Sequence, residues 1–395
     1  MIETSRLNLH VYPSQFRHES RILRETASLA EAGLFDRIAI AAFWEEGLPE
    51  REAIDDVREV RRFRTQMQGV DAGLWVKSLR LLEWMYRVLA GFRSTAAAVV
   101  SCHSLSVLPL GVLCKFLFGS RIVYETHELE TETQGCRGIR RPAMKAVERA
   151  CIPQVDFVVT VNESIGNWYR DAYPRSRVFV VRNIPHRVQP PRPKSANRLL
   201  REPFGIRDDD LLFLYHGLID HGRGIEVLLD AFQQLDPSRH IVFLGYGKLE
   251  NEVKARCAVS PNIHFHPAVQ PGQVLDYVGD ADVGLCLIEN VCLSYYLSLP
   301  NKLFECITAG IPVIASDFPE MKRAVEESGC GWVIPVSPSA LKKTILEITP
   351  QDILDKRKAM SGYRDSIGWQ MEADVLIKAY RTLGRGNLPV QAVRS

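Results

Sequence analysis

The chain has 395 residues, 46% of them hydrophobic and 24% charged, with a formal net charge of +2. That length exceeds one hydrophobic core and implies two domains, and the near-neutral balance offers no electrostatic footprint for nucleic acid. Nine cysteines, an odd number without a C-x-x-C pair, exclude a zinc framework, a redox motif and a complete disulfide set.

The first residues, Met-Ile-Glu-Thr-Ser-Arg, lack a basic-then-apolar leader pattern. The most apolar region, Ala96 to Phe118, is interrupted by His103, Pro109 and Lys115 and reads as strand, turn and helix rather than a membrane span. The protein is therefore expected to be cytoplasmic. Strand signals rich in Val, Ile and Ala fall at Leu7–Val11, Arg37–Phe43, Ala97–Cys102, Arg121–Glu125, Asp156–Val161 and Arg177–Val181. Helical patterns lie at Glu19–Ala32, Leu74–Gly91, Val107–Phe118, Arg140–Ala150 and Ser164–Ala172. The Leu74–Arg93 segment places Leu74, Leu81, Leu82, Met85, Val88, Leu89 and Phe92 at helical spacing, with Lys77, Arg80, Arg87 and Arg93 elsewhere and Trp75 and Trp84 added. Either it is a core-facing stripe with a solvated basic face, or it is a surface for membrane or a lipid acceptor.

From Pro185 to Arg201 the composition turns to proline and basic residues, a linker signal. The pattern then restarts: strand Leu211–His216, helix Ile225–Gln234, strand Ile241–Leu244, helix Leu249–Val259, strand Ile263–His266, helix Gly272–Gly279, strand Val283–Leu287, helix Asn301–Ala309, strand Pro312–Ser316, helix Ala340–Glu347. Alternating strands and helices predict α/β architecture with two doubly wound, Rossmann-like domains facing across a cleft, and ligands at the carboxyl ends of the strands. The expected boundaries are a first domain over 1–185, a linker over 186–205, a second domain over 206–370, and a C-terminal helix and tail over 371–395 packing back on the first.

The segment from Ser298 to Asp317 carries the most chemistry. Pro300 closes a loop, Asn301 opens a short helix, and Gly310 stops it. A helix N-terminus offers unpaired N–H groups and positive dipole to an anion. Lys302 adds a cation in the first turn and Glu305 a carboxylate one turn on, which together describe a seat for a nucleotide. An ordinary αβ unit with solvated Lys and Glu is the alternative. In Tyr215-His216-Gly217-Leu218-Ile219-Asp220-His221-Gly222-Arg223-Gly224-Ile225, three glycines permit close backbone approach and Arg223 presents a planar fork suited to phosphate. Gly245 and Gly247 end another strand. His127, after Val123-Tyr124-Glu125-Thr126, falls at a strand's carboxyl end. Glu128 and Glu130 read as a solvated loop, and Asp208-Asp209-Asp210 as a solvated turn without a companion metal ligand. No Ser/His/Asp elbow, P-loop or H-E-x-x-H helix is present.

These segments resemble family 4 glycosyltransferases, retaining enzymes of the GT-B architecture, in the branch whose donor motif is P-x-K-x-x-E. The resemblance covers most of the chain and is strongest from about Tyr215 to Pro335. It implies transfer of a sugar from a nucleoside diphosphate sugar to a hydroxyl acceptor, with the donor held by Gly217, Arg223, Gly245, Pro300, Asn301, Lys302 and Glu305. Glu305 would take the ribose hydroxyls, and His127 would lie beside the sugar as the catalytic-side residue. Arg17, His18 and Arg21, where many members carry a Gly-rich loop, would face the acceptor. No cofactor and no metal are implied. The donor is a nucleotide sugar, uridine favoured over guanosine, and the acceptor a glycan or a lipid-linked glycan. The setting is bacterial surface polysaccharide or glycolipid assembly at the inner face of the cytoplasmic membrane, with peripheral membrane contact. Two departures stand out: Leu218 replaces a second cation, and Leu297 replaces the first Glu of the family's E-x7-E motif. A nucleotide-sugar 2-epimerase of the same fold and a catalytically silent nucleotide-sugar-binding subunit remain as alternatives.

Overall fold

The structure, a computed structural model, describes residues 6–17, 19–66, 73–186 and 198–384. It divides into two compact units, one running to Arg182 and resuming at Glu372, the other Asn183–Met371. Most of the sequence expected as linker, 187–197, lies outside the described residues. From residue 198 on, the chain is built into the second unit, where Leu200 is fully buried and the Arg201 guanidinium meets Asp282 at 2.5 Å.

The first unit comprises β1 (Leu7–Val11), α1 (Ser20–Glu31), β2 (Arg37–Phe43), β3 (Arg51–Ala53), β4 (Arg58–Phe63), α2 (Leu74–Phe92), β5 (Val99–Cys102), α3 (Leu108–Phe118), β6 (Arg121–Glu125), α4 (Arg140–Cys151), β7 (Phe157–Thr160), α5 (Glu163–Ala172) and β8 (Val178–Val180). Among the described residues its sheet has eight strands in the order β3-β4-β2-β1-β5-β6-β7-β8, parallel except for β3. Apolar runs such as Val158 and Val159 pack on both faces, as a parallel sheet covered by helices demands. The β3–β4 hairpin is absent from the sequence reading. Its strands are rich in charge, and Arg62 turns inward to donate to the carbonyls of Gln15, Phe16 and Pro49.

Helix α2 departs from its expected stripe. Trp84, Val88 and Phe92 form the buried line, and the Trp84 indole N–H donates to the Ala42 carbonyl at 3.0 Å. Leu82, expected inside, is 58% exposed and joins Trp75, Leu79 and Tyr86 in an outward stripe. No helix of the described residues is long and apolar enough to cross a membrane.

The second unit comprises β9 (Leu211–Leu218), α6 (Ile225–Phe232), β10 (Arg239–Tyr246), α7 (Glu250–Cys257), β11 (Ile263–Pro267), α8 (Val274–Asp280), β12 (Val283–Cys286), α9 (Leu293–Tyr296), α10 (Asn301–Ala309), β13 (Val313–Ser316), α11 (Pro319–Ser328), β14 (Gly331–Ile334), α12 (Pro338–Glu347), α13 (Pro350–Ala359) and α14 (Ser361–Ser366). Helix α15 (Trp369–Gly384) begins here and belongs to the first unit from Glu372. Among the described residues the second sheet is all parallel, ordered β11-β10-β9-β12-β13-β14. The order reverses between β9 and β12, and an open α/β sheet forms its ligand crevice at such a switch point, outside the carboxyl ends of the strands.

Candidate functional site

In the second unit the predicted donor residues gather at that switch point. The carboxyl end of β9 supplies Tyr215, His216 and Gly217, and the following loop reaches α6 through Gly222, Arg223 and Gly224. Gly222 and Gly224 both have φ near +75°, and a Cβ on Gly224 would stand 2.7 Å from the Leu287 side chain. The loop is tied to the chain after β12: the Glu289 amide donates to the Gly222 carbonyl at 3.0 Å, and the Gly224 amide donates to the Glu289 carboxylate at 3.2 Å. Arg223 is thereby presented beside the crevice. Its guanidinium carbon lies 4.5 Å from the Tyr295 ring centroid, and its buried Nε has no hydrogen-bond partner among the described residues.

Helix α10 begins where the sequence placed it. Pro300 occupies the N-cap in extended conformation, no side chain caps the helix, and its first turn holds no acid. Gly310 ends it at φ +75°. Asn301 is exposed, whereas Lys302 is buried. The Lys302 ammonium stands 3.7 Å from the Tyr215 ring centroid and has no hydrogen-bond partner among the described residues. A buried cation held only by an aromatic face retains three donors for an anion. Glu305 accepts from His216 Nε2 at 2.8 Å. His216 escaped the sequence reading as a site residue because 89 positions separate the pair. Gly245 has a packing reason of its own, since a Cβ there would lie 1.9 Å from the Gly217 carbonyl oxygen.

In the first unit His127 follows the carboxyl end of β6, half-buried, within 3.2 Å of His103 Nδ1 through its Nε2. Burial, with the Arg21 guanidinium second, pushes its pKa down to about 3, so the ring is neutral near pH 7. Arg17 is paired with Glu45 at 2.6 Å, and buried Arg21 lies 2.7 Å from Glu25 on its own helix. His18 lies outside the described residues. Two expectations are corrected. Glu130 is not a solvated loop carboxylate: it receives the Leu105 amide, the Ser104 hydroxyl and the Tyr124 hydroxyl at 2.8, 2.8 and 3.1 Å. Burial raises its pKa to about 7. Asp210 is likewise buried, paired with Arg207 at 3.2 Å and 3.5 Å from His240. Its neighbours Asp208 and Asp209 are paired with Arg198 and Arg207 and stay exposed. A groove of about 810 Å³ beside β4 and α2 has none of these residues in its lining, and its Arg51, Arg61, Arg62, Arg64 and Arg87 are each matched by a glutamate.

Residues 197–365, the part that holds the switch point, match the family described as Glycosyl transferases group 1. A phosphatidyl-myo-inositol mannosyltransferase of Mycobacterium tuberculosis is 24% identical over 244 residues, 59% of this chain and 61% of that protein. The chain thus aligns with less than two thirds of that relative's length. Sucrose-phosphate synthase from Thermosynechococcus elongatus superposes with a TM-score of 0.80 at 16% identity, over 97% of this chain and 100% of that one. Anabaena Alr3699/HepE, solved in complex with UDP and glucose, does so with a TM-score of 0.71 at 14% identity, over 96% of this chain and 99% of that one. The fold is GT-B, with two Rossmann-like domains.

Proposed function

We propose that this protein is a retaining glycosyltransferase that moves a sugar from a nucleoside diphosphate sugar to a hydroxyl acceptor. One observation carries the reading: the buried Lys302 ammonium, with no hydrogen-bond partner among the described residues, sits at a helix N-terminus without a side-chain cap, at the switch point of the second sheet. That arrangement is unfavourable for folding alone and suits a diphosphate. The match of residues 197–365 to a glycosyltransferase family and the UDP complex of a structural neighbour support it.

In this reading Arg223, Lys302 and the α10 N-terminus hold the diphosphate and stabilise the negative charge that grows on it as the glycosidic bond breaks. They supply the positive charge that a divalent ion supplies elsewhere, so transfer needs no bound metal. Glu305, oriented by His216, takes the ribose hydroxyls. His127, neutral, accepts a hydrogen bond from a hydroxyl of the sugar. A leaving-phosphate oxygen receives the acceptor's proton on the same face of the sugar, which retains the anomeric configuration without a protein nucleophile. Uridine is the favoured base, in line with the UDP-bound neighbour. For the acceptor, the outward stripe Trp75, Leu79, Leu82 and Tyr86 suits contact with a lipid surface. Co-sedimentation with anionic vesicles tests that part, and equal binding by a Trp75→Ser/Leu79→Ser variant would remove the stripe from the account. The function itself is tested by incubating the purified full chain with UDP-, GDP- and ADP-sugars and a panel of glycan acceptors. Acceptor-dependent nucleotide release is expected from one donor class, and no release from any of them would leave only a binding role.

A further inference from the structure

Three adjacent parallel strands of the first sheet each carry a polar pair two residues apart near their carboxyl ends: Asn8 and His10 on β1, Ser101 and His103 on and just after β5, Glu125 and His127 on and just after β6. Residues two apart share a face of the sheet. Asn8, His10, Ser101 and Glu125 are fully buried and His103 nearly so. Buried polar groups must be satisfied, and here Asn8, His10, Ser101 and His103 are partnered within the cluster.

The direction of every hydrogen bond in this ladder follows from one fixed point. The Asn8 side chain lies 3.2 Å from the Val99 backbone carbonyl, which can only accept, so the amide nitrogen faces it. The Asn8 Oδ1 then faces His10 Nε2 at 2.7 Å and can only accept, which makes that nitrogen N–H. His10 Nδ1 is left bare and must accept from His103 Nε2 across 2.8 Å. His103 Nδ1 is bare in turn and accepts from His127 Nε2 across 3.2 Å. The other Asn8 branch runs the same way. Its amide donates to Ser101 Oγ at 3.1 Å, Ser101 donates to the Tyr380 hydroxyl at 2.7 Å, and Tyr380 donates to Glu125 at 2.7 Å. The opposite tautomers would set a bare His10 Nε2 against the Asn8 oxygen.

We propose that Asn8, His10 and His103 are positioning residues that hold His127 as the Nε2–H tautomer, leaving its Nδ1 a bare lone pair that accepts from a substrate hydroxyl. The inference rests on the reading of His127 given above for its use, but not for its existence. A hydrogen-bond chain in low dielectric polarises along its length, so each link strengthens the next. Burial lowers the His10 pKa to about 3 and that of His103 well below its usual value, which keeps both rings neutral and the direction intact. The charged and titratable groups facing the ladder are Glu25 and Glu125, whose oxygens lie 4.0 and 3.8 Å from His103 Nδ1, Arg21, and Tyr12, whose ring centroid lies 5.7 Å from that of His127. Both carboxylates are farther from that nitrogen than His127 is. His10, His103 and Glu125 also place three ligand atoms within 4.8 Å of one another, but the nitrogens that face each other are joined by a proton in this arrangement.

Two-bond 1H–15N correlation spectra of full-length protein labelled at histidine, assigned with His127→Gln, read the tautomers without any substrate. Neutral Nε2–H rings at His10, His103 and His127 at pH 7 are expected. An Nδ1–H or imidazolium His127, or one equivalent of zinc in elemental analysis, overturns the proposal. His10→Phe cuts the chain, whereas His10→Gln keeps an acceptor toward His103 and a donor toward Asn8. The Phe variant should show mixed His127 tautomers and turnover lowered about tenfold or more, a wrong tautomer being costly to a positioned histidine, with nucleotide affinity unchanged and recovery in the Gln variant. A His127 that stays Nε2–H in the Phe variant overturns the proposal. Correct tautomers in an inactive parent would instead count against the transferase reading and leave the ladder standing.

Discussion

Replacing Lys302 by methionine separates a ligand-binding lysine from a structural one. The ammonium is buried, 3.7 Å from the Tyr215 ring centroid, with no hydrogen-bond partner among the described residues. Its contribution to folding is a cation–π contact of up to about 2 kcal/mol, set against a burial penalty of several kcal/mol for an ion that forms no ion pair among the described residues. A methionine of similar length fills the space and removes both. The free variant should therefore be no less stable than the parent. In the complex, by contrast, Lys302 would make at least one charge-assisted hydrogen bond to phosphate, worth about 1.5–3 kcal/mol, so nucleoside diphosphate affinity should fall roughly tenfold to hundredfold. Calorimetric titration with UDP and GDP measures the second effect and thermal unfolding without ligand the first. A variant that melts several degrees lower while binding nucleotide as the parent does would make Lys302 a structural cation and refute the reasoning.

Glu305→Ala should weaken nucleotide binding about tenfold to hundredfold and also lower the melting temperature, because it strands the buried His216 N–H. Glu305→Gln keeps an oxygen for His216 and should melt like the parent while still binding more weakly, and equal binding by both variants would end the ribose assignment. Activity should survive EDTA, and loss of activity restored by Mn2+ or Mg2+ would contradict the cation assignment to Arg223 and Lys302. Stability against urea should fall gently as the pH drops from 6.5 to 4.5 and steeply from there toward pH 3. His10, His103 and His127 have folded pKa values far below the ordinary 6.5, and burial lowers those of His240 and His264 as well, so the unfolded chain binds more protons there and acid destabilises. Glu125, Glu130 and Glu148 have raised values against an ordinary 4.5. Folded, they take up protons first, which offsets part of what the histidines cost down to pH 4.5 and no further. A decline as steep above pH 4.5 as below it would show that the carboxyls are ionised in the folded state.

Much of the second unit was legible because its punctuation is local. Pro300 and Gly310 bracket α10, and the glycines after β9 mark a turn that side chains would obstruct, so the helix bounds of α10 coincide with those read from sequence. The pairing of Glu305 with His216 was not legible, since it is set by which strand lies under α10, and sheet order is a tertiary fact. The β3–β4 hairpin was hidden for another reason: Arg58, Arg61 and Arg62 look solvated, yet Arg62 is buried by carbonyls that a loop folds over it. The Asn8–His127 ladder did leave a trace. Asn8 and His10 interrupt an otherwise apolar strand at a spacing of two, which puts both on one face and asks what polar partner waits there. Leu7–Val11 was read for its apolar residues alone.

The most direct test of the central claim is proton NMR of the anomeric region while the full chain turns over its nucleotide sugar with an acceptor. The account predicts that the donor's anomeric signal is replaced by that of a glycoside with the same configuration, in step with nucleotide release. An inverted glycoside would contradict the same-face mechanism. A donor returned with its C2 centre epimerised, or one that binds and stays intact, would contradict transfer itself.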